Sequence, residues 1–156
     1  MRKLYSVLAW IVAAGVVVQA ASIAFGFGGM TGYVMDGGVV DKALLESQQA
    51  TFTGDLGFPI HELVGGLLLP VVTLAMGAVS FFVRGVPRAR TLAWTLFALV
   101  VIQGNAGYAI ADIPYVGLLH GANALLILLV AVLAARRGSR THDEVAADAP
   151  TTSVLA

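Results

Sequence analysis

The stretch TLAWTLFALVVIQGNAGYAIADIPYVGLLHGANALLILLVAVLAARR, Thr91 to Arg137, carries one charged residue, Asp112, before the arginine pair that closes it. Asp112-Ile113-Pro114 is a polar break in an otherwise apolar run. The segments on either side each reach the ~20 residues that cross ~30 Å of hydrocarbon as a helix. The stretch therefore reads as two membrane-spanning helices, about 91–111 and about 113–135, joined by a very short loop. Pro114 suits the first turn of the second helix, where its missing N–H leaves no bond unmade. Upstream lie two further apolar runs of spanning length, about 4–27 and about 56–83, and Pro59 falls in the first turn of the latter. The first run is too long for the apolar core of a signal peptide, and no small-x-small cleavage site follows it, so a retained helix is expected. The prediction is an all-α integral membrane protein. Residues 1–137 form a four-transmembrane-helix up-and-down bundle with an outer loop at 28–55, and residues 138–156 form a disordered, polar cytoplasmic tail.

Composition agrees. Of 156 residues, 58% are hydrophobic and only 12% are charged, about half the charged share of a soluble domain, and the mean hydropathy is +0.88. The formal charge is zero, which gives no indication of a nucleic-acid partner, and the absence of cysteine excludes disulfides, thiolate metal sites and thiol chemistry. No phosphate-binding loop or nucleophile motif is present.

The basic residues orient the bundle. Arg2 and Lys3 precede the first helix, Arg84, Arg88 and Arg90 occupy the second connection, and Arg136, Arg137 and Arg140 follow the fourth helix. All of these fall on one side of a four-span protein. The other side holds Lys42 beside Asp36, Asp41, Glu46, Asp55 and Asp112. Both termini are therefore expected in the cytoplasm. In the outer loop, Asp41 is placed to cap a short helix running to about Gln49. Pro70 falls inside the second helix and should kink or loosen it. His142, in the tail, reads as solvent-exposed and silent.

Two histidines remain. His61 and His120 lie inside the second and fourth helices, which run in the same direction, at similar depths of about 8–11 Å below the outer ends. An ionisable group inside a span is expensive and is a functional candidate by default. Two level histidines in a four-helix bundle match the needs of a bis-imidazole haem, one ring on each face of the iron. Gly65, one turn below His61, and Gly121 and Gly117, flanking His120, would admit a flat macrocycle. Gln19, Gln103, Asn105 and Asn123 share the level, and Gln19, Gln103, Asn105 or Glu62 would supply the acceptor that a ligating histidine needs for its other N–H. The cofactor-binding candidates are thus His61, His120, Gly65, Gly121, Asn123, Gln19 and Gln103, with His61 and His120 as the metal ligands. A bare copper or zinc site would need further ligands, from Glu62, Asp112, Met30 or Met35. The bland alternative is that the glutamines and asparagines only bind helices together and the histidines are interfacial.

The segments LLHGANALLILLVAVLAARR (Leu118–Arg137) and HELVGGLLLP (His61–Pro70) resemble an uncharacterised bacterial family of small four-helix membrane proteins. That family has a histidine opening its second helix and an LH-x-x-NALLI motif in its fourth. The resemblance covers most of residues 1–137 and implies a multi-pass protein of the bacterial cytoplasmic membrane, but no activity. More loosely, the plan is similar to one half of a haem A synthase and to small membrane b-type cytochromes, which carry axial histidines on the second and fourth helices. That likeness implies His61 and His120 as axial ligands of haem b. The synthases have a glutamate before and an arginine after the helix 2 histidine, whereas here Glu62 follows His61 and no arginine does. They also use two bundles, so haem A synthesis is not implied.

The leading expectation is a haem-b protein in the lipid bilayer that transfers electrons to or from a quinone or a respiratory-complex partner. It would be a redox protein of cytochrome type rather than a catalyst. An accessory or assembly subunit of a membrane complex and a small transporter stay open as alternatives, and homo-oligomerisation is compatible with each.

Overall fold

The computed structural model describes residues 1–47 and 49–140. They form five helices: α1 (Arg2–Met35), α2 (Lys42–Ser47), α3 (Gly57–Ser80), α4 (Ala89–Ala109) and α5 (Val116–Ser139). Of these, α1, α3, α4 and α5 are long and apolar enough to span a membrane. They pack as a ring in chain order, α1 on α3, α3 on α4, α4 on α5 and α5 back on α1, which leaves α1/α4 and α3/α5 as the diagonals. Only 11–33% of the most apolar window of each spanning helix is buried in the bundle. The remaining apolar surface is compatible with contact to lipid rather than water.

The buried core occupies the end of the bundle where both ends of the described chain lie. It consists of Tyr5, Ala9, Val12, Ala13 and Val16 of α1, Leu69 and Met76 of α3, Ala89, Ala93, Leu96 and Val100 of α4, and Ile127, Ala131, Ala134 and Ala135 of α5, with Val86 from the α3–α4 connection. Alanines and glycines dominate the contact faces because, between membrane helices, close backbone approach provides most of the attraction. The Tyr5 hydroxyl donates to the Ala89 carbonyl at 3.1 Å and Ser6 Oγ donates to the Ala135 carbonyl at 2.9 Å, which ties three helices together at this end. Arg2 donates to the Arg140 carbonyl. The basic residues of both termini and of the α3–α4 connection are thereby gathered at one end.

The first helix does not stop at Phe27. It continues to Met35, so residues expected in an outer loop are helical. At 34 residues α1 is about 51 Å long, well beyond the hydrocarbon thickness. Gly28, Gly29 and Gly32 lower helix propensity, but tertiary packing overrides it. Tyr33 stacks on Phe52 at 5.6 Å, Phe52 meets Phe58 edge-on at 6.5 Å, and Phe58 meets Phe27 edge-on at 5.4 Å. Gly37, with φ +93°, then ends the helix, its N–H bonding to the Val34 carbonyl. Asp41 caps α2 as expected, its Oδ1 accepting the Leu44 N–H at 2.8 Å, but the helix ends at Ser47 rather than Gln49.

Gly57, at the start of α3, sits where a Cβ would collide with the Ser22 carbonyl and the backbone of Gly26. Gly57→Ala is therefore expected to push α3 off α1 and to destabilise the bundle by about 1–3 kcal/mol. Thermal unfolding in detergent, with Gly28→Ala as the control in open space, measures it.

Pro70 loosens α3 as expected, and it does so through a π-helical turn, Val64–Leu68, immediately before Leu69. The wider turn accommodates the missing N–H and the bulk of the ring. Thr73 Oγ1 donates back to the Leu69 and Pro70 carbonyls at 2.8 and 3.1 Å. The other ends shift by a few residues. Pro114 lies in the turn before α5 rather than in its first turn, and α5 runs to Ser139 rather than 135 because Gly138 packs against Tyr5 and Ser6. Gly138 and Ser139 are thus helical and not part of a tail. Residues 141–156 of the expected tail, with His142, lie outside the described residues.

Candidate cofactor site

Gly57 and Val116 open α3 and α5, so His61 and His120 each stand four residues into their helices. Because α3 and α5 are diagonal and run in the same direction, equal depth brings the two rings together across the bundle. Their centroids are 6.4 Å apart and their planes are inclined by 43°.

Each ring is held through Nδ1 by a backbone carbonyl of a neighbouring helix: His61 by the Gln19 carbonyl at 3.0 Å and His120 by the Gln103 carbonyl at 3.1 Å. A carbonyl oxygen only accepts, so Nδ1 carries the proton in both rings, and in a neutral imidazole Nε2 is left with its lone pair free. Gln19 closes its side of the clasp by donating Nε2–H to the His61 carbonyl at 2.7 Å. On the other side Asn123 Nδ2 donates to Gln103 Oε1 at 2.7 Å and to the Leu99 carbonyl at 2.9 Å. The α1–α3 and α4–α5 hairpins therefore repeat one device, a glutamine carbonyl on the first helix holding a histidine on the second.

The acceptors expected from the sequence are the side chains of Gln19, Gln103, Asn105 or Glu62. The main chain of the two glutamines provides them instead. A helical carbonyl has a second lone pair to offer, and glycine lets the ring reach it. A Cβ at Gly107 would stand 3.2 Å from His120 Cε1, and one at Gly65 would stand 2.7 Å from Gln19 Oε1. Asn105 is exposed and bonds to the Val101 carbonyl of its own helix, while Glu62 is exposed and lines an outer groove with Leu44, Leu45 and Asp55.

Beside the histidines lies a cavity of about 410 Å³, lined by His61, His120, Gln19, Gln103, Gly65 and Gly121 together with apolar side chains. Its floor is one residue from each spanning helix, Val16, Leu69, Val100 and Ile127, which is also the last layer of the packed core. Six of the seven expected site residues thus share one cavity. The seventh, Asn123, stands behind it and orients Gln103. Gly107 and the floor residues were not singled out from sequence. An apolar residue in a span gives no sign of whether it faces the centre or the lipid, whereas the glycine spacing offered at least a hint.

No protein-family model, curated protein or solved structure matches this chain. The site's own geometry is therefore what bears on its chemistry. Among the described residues no three His, Asp or Glu side chains gather as a bare-ion site would need. The two imidazoles are the ligating side chains that come close, with 6.4 Å between their centres.

Proposed function

We propose that this chain is a multi-pass membrane protein that binds haem b between His61 and His120 and transfers electrons. The observation that carries the reading is the pair of Nδ1–H···carbonyl bonds, which presents two free Nε2 lone pairs from rings whose centres are 6.4 Å apart. A metal bound end-on by two imidazoles through bonds of about 2.0–2.1 Å separates the ring centres by about 6 Å once the ring radii are added. Ligating histidines commonly give their other N–H to a carbonyl in this way. The donor set fits a metal that brings its own in-plane nitrogens, and the apolar cavity falls in the range of about 300–1,000 Å³ usual for cofactor sites.

When bound, the haem would supply a one-electron couple, and His61 and His120 would both be engaged in holding it, which favours electron transfer over oxygen chemistry. The chain's part is to hold both tautomers, to set the depth of the rings through α3 and α5, and to exclude water with the Val16, Leu69, Val100 and Ile127 layer. The basic end is read as cytoplasmic, with both termini there, in a bacterial inner membrane. The site then lies toward the outer side, where a quinone or a respiratory partner is the expected exchange partner.

The test is an absorption spectrum of protein purified in detergent after expression with haem precursor, before and after dithionite. A Soret band that moves on reduction, sharp visible bands and a stoichiometry near one haem per chain are expected. A colourless protein would sink the reading and favour an accessory subunit that uses its apolar faces to bind a larger membrane complex.

A further inference from the structure

The cavity is walled unevenly. Val16, Val17, Gln19, Ala20 and Ile23 of α1 and six residues of α5 line it, against three from α3 and two from α4. At the basic end the α1–α5 seam is shut by Ala9, Val12, Ala13, Ala131, Ala134 and Ala135, all buried. Above the floor the same seam changes character. Val17 and Leu125 line the cavity yet are 59% and 64% exposed, and Ala20 and Gly121 are exposed as well. A side chain that faces both a cavity and the outside marks an opening. Among the described residues, none of the segments 36–56 or 110–115 lines the cavity, so its described lining ends below the outer connections and opens sideways between two spanning helices.

We propose that the α1–α5 seam between Val17 and Leu125 is a lateral portal through which a tetrapyrrole dissolved in the bilayer reaches His61 and His120. The inference rests on the haem reading and adds the route. The surface at the gap is apolar (Val17, Ala20, Ala124, Leu125), which suits a flat, largely apolar macrocycle arriving from lipid and offers nothing to a hydrated ion. The two glutamines and two histidines are the polar groups met inside. A site loaded this way takes up cofactor from the membrane phase, so the protein acts as a haem acceptor within the bilayer as well as an electron carrier.

The experiment is loading of apo-protein in phosphatidylcholine vesicles with haemin carried by a second vesicle population, followed by the growth of the Soret band. Ala124→Trp narrows the gap and is expected to slow loading by roughly tenfold, equivalent to about 1.4 kcal/mol on the barrier. Leu125→Ala widens it and is expected to speed loading. The portal is read in the rate at which the band grows, not in its final height. Leu74→Trp, on the exposed face of α3 away from the cavity, is expected to load at the wild-type rate. If Ala124→Trp does not fold, the Leu125→Ala rate decides the matter alone. Equal rates in the wild type and the seam variants would overturn the portal while leaving haem binding intact. A wild-type protein that never gains a Soret band would overturn the haem reading, and the portal with it.

Discussion

His61→Ala and His120→Ala are each expected to abolish the sharp low-spin visible bands and to cut haem retention by at least roughly 10- to 100-fold, the scale on which even supporting partners of a metal ligand act. On the proposed haem reading the two rings act as one clamp, since each would hold the group from one side and no other imidazole lines the cavity among the described residues. The described residues near them carry no third His, and no Asp or Glu joins them in the cavity lining. The double variant should therefore be hardly worse than either single one, a non-additivity expected of residues that work as a unit. Spectra of detergent-purified variants, with His142→Ala as the internal control, measure this. Wild-type spectra from both single variants would remove the histidines from any cofactor role.

Gly107→Val is the second large expected effect, and it leaves both histidines in place. A Cβ at this position already stands 3.2 Å from His120 Cε1, and the two further methyl groups of valine occupy the space through which the ring reaches the Gln103 carbonyl. His120 must leave that carbonyl or α5 must move away from α4. Either outcome releases the Nδ1–H, so the tautomer and direction of the ring are no longer set. Haem retention is expected to fall about 10- to 100-fold, as when a supporting partner of a metal-bound histidine is lost. Gly107→Ala asks the ring to give by only a few tenths of an ångström and should do much less. The ratio of haem to protein after gel filtration distinguishes them. Full retention in Gly107→Val would show that the Gln103 carbonyl does not orient the ring.

The spans, the segregation of charge and the level of the two histidines were legible from the chain because each is a property of position along it. Apolar runs announce themselves by length, the clusters Arg84/Arg88/Arg90 and Arg136/Arg137/Arg140 by alternation between connections, and depth by counting from a helix start. The end of α1 at Met35 is not legible in the same way, because Gly28, Gly29 and Gly32 look like loop residues by propensity. Their helical state depends on the packing of Tyr33, Phe52 and Phe58, partners about twenty or more residues away along the chain. Pro70 announced a perturbation of α3 but not its form, since a kink and a π-helical turn both relieve the same missing N–H.

The sequence by itself determined four apolar helices, a bundle with its positive charge gathered at one end, and two histidines held at one depth. Only the tertiary structure decided the rotation of each helix about its axis. That rotation turned His61 and His120 toward one another, put Val16, Leu69, Val100 and Ile127 into a floor rather than against lipid, and chose backbone carbonyls as the partners of the rings. The physical reason is that a spanning helix is apolar all round, so hydropathy carries no moment that says which face is inside. Close packing of small residues against neighbouring helices sets the rotation instead, and that information is shared among four helices and written in none of them alone.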